Sequence, residues 1–306
     1  MTTATSFPRR GLLKAGLAVS TAVLTAASSA PTASAASGSQ PADAEGELRD
    51  LEQQYAARLG VYARNLRTGQ VVSYRAQERF ALCSTFKAFA AAAILRDHGH
   101  CAPLDKVIHY PPADVVLPNC PITGDHVDTG MTVGDLCAAA IQYSDNAAGN
   151  LLLRQIGGPD GLTRFFRSIG DPVSRLDRWE TDLNSAVPGD LRDTTTPEAV
   201  GGSFTRLTQG RSLAAADREQ LVTWLKGNTT SGERFRRGLP QDWVVADKTG
   251  TGDYATGNDI GLAWTTKGTP VVLTVLSSKT TRDAVVDNGL ISDTARVLAR
   301  TLAPGE

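Results

Sequence analysis

The sequence predicts a mixed α/β (α+β) fold in which an antiparallel sheet is flanked by the terminal helices and an all-α domain is inserted into it. Two observations support this prediction. Segments with strand character occur near both ends of the 306-residue chain, and the long middle carries mostly helical patterns separated by Gly- and Pro-containing loops. If the terminal strands pair in one sheet, the helical middle becomes an insertion, and the seam between the two parts is a favoured place for a binding site.

The predicted α/β domain combines residues 43–76 with residues 227–306. Its first helix has apolar residues at helical spacing between positions 43 and 58, and its last helix covers about residues 283–302. Five strand-like segments lie between these helices, and a Gly-containing turn joins the first two. The segments are residues 59–66, 70–74, 243–247, 258–265 and 271–276.

The predicted all-α domain spans residues 77–226 and includes an alanine-rich helix at residues 84–98. A chain of this length can bury a sizeable core as one large domain or two smaller ones. Its composition is 41% hydrophobic and 21% charged, with a formal net charge of −1. This balance gives no electrostatic reason to expect nucleic acid as a partner, so we expect a globular protein that does not bind nucleic acid.

Residues 1–35 predict an export signal rather than part of the fold. Arg9 and Arg10 precede a short, alanine-rich apolar stretch, and a small-residue cleavage site ends at Ala35. The paired arginines favour the twin-arginine route, with a general secretory signal as the alternative. The apolar stretch is too short and too polar for a permanent anchor, and residues 36–42 are typical of a linker. We therefore expect a secreted protein with no stable membrane anchor.

The histidine and cysteine residues indicate neither a metal site nor a fixed disulfide pattern. His98 and His100 form the only His-x-His pair, and no acidic residue follows them at ligand spacing, so we expect no metal and no other cofactor. Four cysteines allow three complete disulfide pairings, but export in the folded state makes small buried thiols the simpler expectation. The cysteines are Cys83, Cys101, Cys120 and Cys137.

Three short segments, each present once, supply the parts of an acyl-transfer site. Ser84 and Lys87 are three residues apart on a predicted helix, so their side chains share a face near the helix N-terminus, where a developing anion is favoured. An isolated Ser-x-x-Lys pattern is more often a helix cap with a solvated lysine, and only the joint presence of the segments favours catalysis. The segments are Ser84-Thr85-Phe86-Lys87, Ser144-Asp145-Asn146 and Lys248-Thr249-Gly250.

The second and third segments supply groups for proton transfer and substrate binding. Ser144 can pass a proton to a leaving nitrogen, and Asn146 can hold a substrate carbonyl group, although a turn with a helix cap is the alternative for this segment. Lys248 suits a substrate carboxylate, and Gly250 lets backbone and ligand approach closely. The backbone N–H of Thr251 can pair with that of the nucleophilic serine as an oxyanion hole.

A fourth segment, at Glu180 and Asn184, adds a carboxylate that can direct a water molecule. The order and spacing of the four segments resemble those of the class A serine β-lactamases, in particular members from actinomycetes. The similarity extends over roughly residues 45–300. It implies hydrolysis of the β-lactam amide bond of penicillins and cephalosporins through a serine acyl-enzyme, which confers antibiotic resistance, and it implies a monomer of β-lactamase architecture.

The resemblance also implies a role for each site residue. Ser84 is acylated, and Lys87 and Glu180 are the two candidates for the base in that step. Glu180 then activates the water that cleaves the ester, and Ser144 delivers a proton to the lactam nitrogen. The residues implied in substrate binding are Asn146, Asn184, Lys248, Thr249, Gly250, Thr251 and Arg234.

Residues 175–193 correspond to the loop that lines the cleft floor in this family. The resemblance implies that a salt bridge between Arg178 and Asp193 closes the loop. Thr181 follows the glutamate at a position where proline is common and where the family has a cis peptide bond, which is costly before a non-proline residue.

Three further positions depart from the family pattern. The arginine that many members place on the strand after Lys-Thr-Gly is missing. Arg234 matches a position where some actinomycete members carry a substitute, so the resemblance implies that Arg234 binds the substrate carboxylate. Asn119 stands where a gatekeeping aromatic residue is usual, which argues against stacking on the substrate side chain. Cys83 matches a cysteine of carbapenem-active members, but Gly252 occupies the position of its partner, so that disulfide cannot form.

Three other functions are alternatives to the hydrolysis of β-lactams. A D,D-peptidase or transpeptidase shares the three motifs but lacks the deacylating glutamate, and it would retain a stable penicilloyl adduct. A non-catalytic sensor on the same scaffold would also retain the label, and it would normally carry a membrane anchor. A metal-dependent lactamase needs ligand spacing that the histidines do not have.

Overall fold

The computed structural model describes residues 41–98 and 102–306. The predicted signal peptide, most of the predicted linker, His100 and Cys101 lie outside these residues. The α-helices are α1 (Pro41–Gln54), α2 (Phe86–Ala93), α3 (Val133–Gln142), α4 (Asn146–Gln155), α5 (Gly158–Ser168), α6 (Pro197–Thr208), α7 (Ala215–Lys226), α8 (Phe235–Gly238) and α9 (Asn288–Leu302). The strands are β1 (Arg58–Asn65), β2 (Val71–Tyr74), β3 (Phe80–Ala81), β4 (Val107–Ile108), β5 (Met131–Thr132), β6 (Thr194–Thr195), β7 (Val244–Gly252), β8 (Thr256–Trp264) and β9 (Pro270–Ser278).

Strands from both ends of the chain form one antiparallel sheet of five strands, in the order β2-β1-β9-β8-β7. The two ends meet where β1 pairs with β9, with Val61 opposite Val275. At the other side, β8 pairs with the edge strand β7 and places Ile260 opposite Lys248. The predicted mixed α/β (α+β) fold, with a sheet built from both ends of the chain, is therefore confirmed.

Both faces of the sheet are covered, so its central strands are apolar on both sides. Along β9, Val271, Leu273 and Val275 belong to the core shared with α1 and α9. Val272 and Leu276 belong to a second core, which includes the helical middle of the chain. This alternation follows from the strand geometry, which points successive side chains to opposite faces.

The helix α2 is buried along its whole length in the second core. Its alanines let neighbouring helices approach closely, and the Phe89 ring packs against Phe166 and Phe204, with ring centroids 4.9 and 6.4 Å away. The start of α2 lies against β7, where a Cβ atom added at Gly250 would be only 3.2 Å from the Cβ of Cys83. Glycine at this position therefore allows the helix and the edge strand to meet.

Several element boundaries differ from the predictions. The predicted helix at residues 84–98 consists of a 3-10 turn (Cys83–Thr85), α2 and a π-helical turn (Ile94–His98). The last helix starts at Asn288 because the residues before it form turns and irregular chain. The strand β7 extends to Gly252, since its pairing with β8 continues to that residue. The Lys-Thr-Gly segment therefore lies inside a strand rather than after the strand predicted at residues 243–247.

The first helix also differs, because it starts at Pro41, within the predicted linker, and ends at Gln54. Contacts place the described residues in one unit, so the division into an α/β domain and an all-α domain stays a prediction. Among the described residues, no helix has the length and apolar character needed to cross a bilayer.

Candidate active site

Ser84 lies in the 3-10 turn that leads into α2, at the end of the helix that packs against β7. The residue before it, Cys83, has a positive φ of 45°, which turns the chain sharply before the helix begins. Ser84 itself is only 7% exposed. Because the first N–H groups of a helix carry a partial positive charge, its oxygen lies where a negative charge is stabilised.

The ammonium group of Lys87 lies at the centre of the site and is completely buried. Its Nζ donates to Ser84 Oγ at 2.9 Å, to the Ser144 carbonyl at 2.8 Å and to Asn146 Oδ1 at 2.7 Å. It also forms an ion pair with Glu180 Oε1 at 2.9 Å, and both side chains of the pair are fully buried. A buried ammonium is stable only with this kind of compensation. The structure thus brings together the first two motifs and the glutamate around one cation.

Glu180 contacts both the nucleophile and the residues that fix its own position. Its Oε1 accepts from Ser84 Oγ at 3.2 Å, and its Oε2 accepts from Asn184 Nδ2 at 2.5 Å. The amide of Asn150 holds its backbone at both ends, accepting from Glu180 N at 2.9 Å and donating to Glu180 O at 3.0 Å. The peptide bond to Thr181 is cis, although Thr181 is not a proline.

The loop at residues 175–193 is closed by a buried carboxylate. Asp193 is fully buried, and its Oδ2 accepts from Arg178 Nε at 2.6 Å. Its Oδ1 accepts the backbone N–H groups of Asp177 at 2.7 Å and of Arg178 at 2.9 Å. The contact implied by the family resemblance between Arg178 and Asp193 is therefore present. Several charge-assisted hydrogen bonds converge on one side chain, which ties the two ends of the loop together.

Ser144 connects the two lysines of the site. Its backbone carbonyl accepts from Lys87, and its hydroxyl oxygen accepts from Lys248 Nζ at 3.0 Å. Its φ is +55°, an uncommon value for a residue other than glycine. Because Lys248 donates to its oxygen, the hydroxyl proton of Ser144 is left to donate to another group.

Lys248 is as buried as Lys87 but has different partners. Besides Ser144, it donates to the Thr249 carbonyl at 2.8 Å. Burial and the nearby positive charge of Lys87 lower the pKa of Lys248 well below its usual range. An anionic ligand bound next to Lys248 would stabilise its charged form.

The remaining residues of the Ser-Asp-Asn segment have separate tasks. Asn146 Nδ2 donates to the Pro118 carbonyl at 2.7 Å, while its Oδ1 faces Lys87. Asp145 is fully buried and caps α4 by accepting from Ala148 N at 2.9 Å. It also accepts from the backbone N–H and hydroxyl groups of Thr123. The helix-cap alternative therefore applies to the aspartate of the segment, while its neighbours line the site.

Two threonines on β7 follow the lysine. Thr249 Oγ1 lies 2.5 Å from Thr230 Oγ1. Thr251 Oγ1 accepts from Arg234 Nη2 at 2.7 Å. The remaining contacts of this nearly buried arginine are with the Gly250 and Asn258 carbonyls, at 2.9 and 2.8 Å, and with Asn288 Oδ1, at 2.8 Å.

Two carboxyl groups, Asp247 on β7 and Asp259 on β8, are fully buried close to this part of the sheet. Burial raises the pKa of both, and the charge of Asp247 raises the pKa of Asp259 further. Arg236 compensates in part, because its Nη2 lies 3.0 Å from Asp247 Oδ1. The pair therefore holds a proton more tightly than exposed carboxyl groups do.

Three of the cysteines are described, and all three are free thiols. Cys83 is fully buried next to the nucleophile, and burial raises the pKa of its thiol. It therefore stays protonated, which makes it a poor nucleophile. A Cβ atom added at Gly252 would lie 2.8 Å from Cys83 Sγ, so the two positions are in contact. Across the described ranges, no group of three His, Cys, Asp or Glu side chains is arranged to hold a metal ion.

Sequence reasoning missed the residues that support the site from outside the motifs. Asn150 fixes Glu180 from α4, and Thr230 contacts Thr249. Asn258 donates to the carbonyls of Ala81 and Leu82, just before the nucleophile. Only Asn258 left a signal, because it and Asp259 are polar residues at the start of a strand segment whose remaining residues are mostly apolar.

The chain matches a family model described as "Beta-lactamase enzyme family" over residues 43–302. A β-lactamase from Streptomyces lavendulae is 50% identical over 293 residues, which cover 92% of this chain and 96% of the relative. The carbapenem-hydrolyzing β-lactamase KPC from Klebsiella oxytoca is 51% identical over 249 residues, covering 81% of this chain and 85% of that protein.

Solved structures agree with these sequence matches. The β-lactamase from Streptomyces albus G superposes with a TM-score of 0.84 at 50% identity, covering 85% of this chain and all of that one (100%). The β-lactamase from Streptosporangium roseum gives a TM-score of 0.83 at 48% identity, covering 86% and 99% of the two chains. With its fold, its motifs and these relatives in agreement, the chain belongs to the β-lactamase family, as its class A motifs predicted.

Proposed function

We propose that this β-lactamase hydrolyses the lactam amide bond of penicillins and cephalosporins through an ester on Ser84. The observation that carries the proposal is the contact of Ser84 Oγ with a buried ion pair, Lys87 Nζ at 2.9 Å and Glu180 Oε1 at 3.2 Å. A serine hydroxyl is a weak nucleophile, and an adjacent base activates it. Here a base and a cation that stabilises the resulting charge both lie within reach.

Acylation forms the bond between Ser84 Oγ and the lactam carbonyl carbon, and the C–N bond of the ring breaks. The ammonium of Lys87 donates to Ser84 Oγ, and the serine hydroxyl donates to Glu180. In this protonation state the carboxylate accepts the proton of Ser84. If substrate binding first moves the Lys87 proton to Glu180, the neutral amine becomes the base, so both candidates remain.

The lactam nitrogen needs a proton as the ring opens, and we assign its delivery to Ser144. The oxygen of Ser144 accepts from Lys248, so its own proton is available to the leaving nitrogen. Lys248 can then replace that proton, because its lowered pKa makes it a good proton donor. The proton removed from Ser84 balances the one that is delivered to nitrogen.

Deacylation uses a water molecule positioned by Glu180 and Asn184. Asn184 Nδ2 donates to Glu180, whereas its Oδ1 is buried and has no hydrogen-bond partner among the described residues. A buried acceptor of this kind is suited to a water molecule. The water oxygen attacks the ester carbonyl, and one of its protons passes to Glu180. The bond to Ser84 Oγ then breaks as Glu180 returns this proton to the serine oxygen. This step separates a hydrolase from a D,D-peptidase that keeps its adduct.

The substrate carboxylate binds to Lys248, Thr249 and Thr251, and Arg234 acts on it through Thr251. The guanidinium donates to Thr251 Oγ1, so the threonine proton can turn toward the carboxylate. The other nitrogen atoms of Arg234 are already bound to the protein. Asn146 holds a substrate carbonyl group through the second hydrogen of its Nδ2. Because β7 is an edge strand, every second backbone N–H group of β7 points away from β8. The backbone N–H groups of Thr251 and Ser84 together form the oxyanion hole.

We place the mature protein outside the cell as a monomer. The paired arginines and the small-residue cleavage site in residues 1–35 support export by the twin-arginine route. The cleft-lining loop at residues 175–193 and the division into an α/β part and an all-α part complete the proposed architecture.

Time-resolved mass spectrometry with benzylpenicillin tests the proposal. The mature wild-type protein should gain the mass of the penicilloyl group briefly and lose it as product forms, without added metal. Ser84→Ala should never gain the mass, and Glu180→Gln should gain it and retain it for hours. An adduct that persists on the wild-type protein would favour the peptidase or the sensor, and inhibition by a chelator would favour a metal enzyme.

A further inference from the structure

We propose that Asn119 is a positioning residue for acylation, because its side-chain amide fixes the Ser144 carbonyl that holds Lys87. This inference rests on the proposed roles of Ser144 and Lys87. The family pattern places an aromatic gate at this position, and no sequence pattern assigns a task to the asparagine found there. Its hydrogen bonds provide one.

The amide of Asn119 donates to two backbone carbonyls, Ser144 O at 2.8 Å and Tyr143 O at 3.3 Å. Both partners are acceptors only, so the NH2 group must face them and the orientation of the amide is fixed. The backbone carbonyl of Asn119 accepts from Asn146 N at 2.9 Å. Asn119 therefore holds the chain on both sides of Ser144.

Ser144 needs this support because its backbone conformation is unfavourable. A non-glycine residue at a φ of +55° persists only when surrounding contacts determine it. The conformation matters for the site, because the same carbonyl oxygen accepts from Lys87 Nζ at 2.8 Å. The hydroxyl of the same residue accepts from Lys248 at 3.0 Å. A rotation of the backbone at Ser144 would therefore disturb both lysines.

Asn119 suits the task because asparagine tolerates its own positive φ of 56°. Its side chain is short enough to turn back onto the neighbouring segment, and it leaves no ring at the mouth of the cleft. Position 119 thus acts on the groups that carry out proton transfer rather than on the side chain of the substrate.

Two substitutions separate this role from a structural one. Asn119→Gly keeps the backbone conformation accessible and removes both hydrogen bonds, so the acylation rate should fall about 3- to 10-fold, the loss expected for one or two ordinary hydrogen bonds. Asn119→Asp has the same shape, but its carboxylate places an acceptor against two carbonyl oxygens. At pH 8 we expect a loss of about 10- to 100-fold.

The pH dependence of the two variants is the decisive readout. Protonation of the carboxylate that N119D introduces restores a donor, so the acylation rate of N119D relative to wild type should recover as the pH falls from about 8 to about 4.5, toward the ordinary carboxyl pKa. The corresponding ratio for N119G should stay constant. Single-turnover kinetics with benzylpenicillin measure acylation separately from deacylation. Gln209→Ala is the matched control, because it removes an amide that donates to a backbone carbonyl at 2.9 Å outside the site.

The inference is overturned if both variants acylate within twofold of the wild type, or if both are slow with no pH-dependent recovery in N119D. Failure of the proposed function would look different. In that case the wild-type protein itself would not acylate, or Ser84→Ala would still form the adduct.

Discussion

The site contains two lysines that are equally buried and differently compensated. Lys87 forms an ion pair with Glu180 and donates to three further oxygen atoms. Lys248 donates to a hydroxyl and a carbonyl, and no carboxylate within the described part of the chain lies within ion-pair distance of it. Burial and the charge of Lys87 lower the pKa of Lys248. The charge of Lys87 is therefore compensated by a carboxylate of the protein. The charge of Lys248 is compensated in this way only when an anionic ligand binds.

This difference suggests a division of labour. A buried ammonium with its own carboxylate keeps a fixed geometry through the reaction, which suits a group that activates the nucleophile. A buried ammonium held only by neutral dipoles gains most when an anion arrives, which suits a group that binds a carboxylate. Substitutions at each lysine test whether the two charges have these separate roles.

The largest effect is expected for Lys87→Ala. This change removes the donor to Ser84 and leaves Glu180 buried without its partner, so acylation by benzylpenicillin should slow by about 10³-fold. The rate of adduct formation, measured by mass spectrometry, checks this. Lys226→Ala is the control, because that lysine packs over the Trp264 ring away from the site. A Lys87→Ala protein that acylates within about tenfold of the wild type would remove Lys87 from the activation of the nucleophile.

Lys248→Ala should act mainly on binding. The loss of a charge-assisted hydrogen bond to the substrate carboxylate should raise the KM for benzylpenicillin about 10- to 100-fold. The methyl ester of benzylpenicillin has no carboxylate, so the variant and the wild type should handle the ester with similar KM values. If Lys248→Ala raised the KM equally for benzylpenicillin and for its methyl ester, the assignment of Lys248 to carboxylate binding would be wrong.

The lowered pKa of Lys248 predicts a pH effect of smaller size. The protonated form binds the carboxylate, so kcat/KM for benzylpenicillin should decline as the pH rises through this pKa, well before an ordinary lysine would titrate. The pH profile with the methyl ester should show a weaker decline, because only the replacement of the Ser144 proton then depends on Lys248. Identical alkaline limbs for the acid and the ester would show that carboxylate binding does not depend on this titration.

The smallest effect is expected for the buried carboxyl pair. Since the pKa of Asp259 is raised in the folded state, the folded protein binds more protons than the unfolded chain between the ordinary carboxyl pKa and the raised pKa. The free energy of unfolding therefore falls as the pH rises from the first of these values to the second. Asp259→Asn removes this titration. Its Tm should exceed that of the wild type by about 2–4 °C at about pH 8, and the difference should shrink toward about pH 4. A constant difference in Tm across this range would contradict the assignment.

The parts of the fold and site that could be predicted are those encoded locally. Strand patterns at both chain ends predicted the sheet, and Ser84 and Lys87 share a helix face because they are three positions apart. The extent of β7 depends on its pairing with β8, which no local pattern encodes. Asn150 and Asn119 contact the site from other segments, so their partners are defined only once the chain is folded.

The alanine-rich packing around α2 has a consequence for how this enzyme can evolve. Ala88 and the run Ala90–Ala93 are almost completely inaccessible, so a larger side chain there would collide with neighbouring helices. Substitutions in α2, the helix that follows Ser84, are thus poorly tolerated. Adaptation to new antibiotics has to proceed through residues at the rim of the cleft, where changes in size do not propagate into the interior.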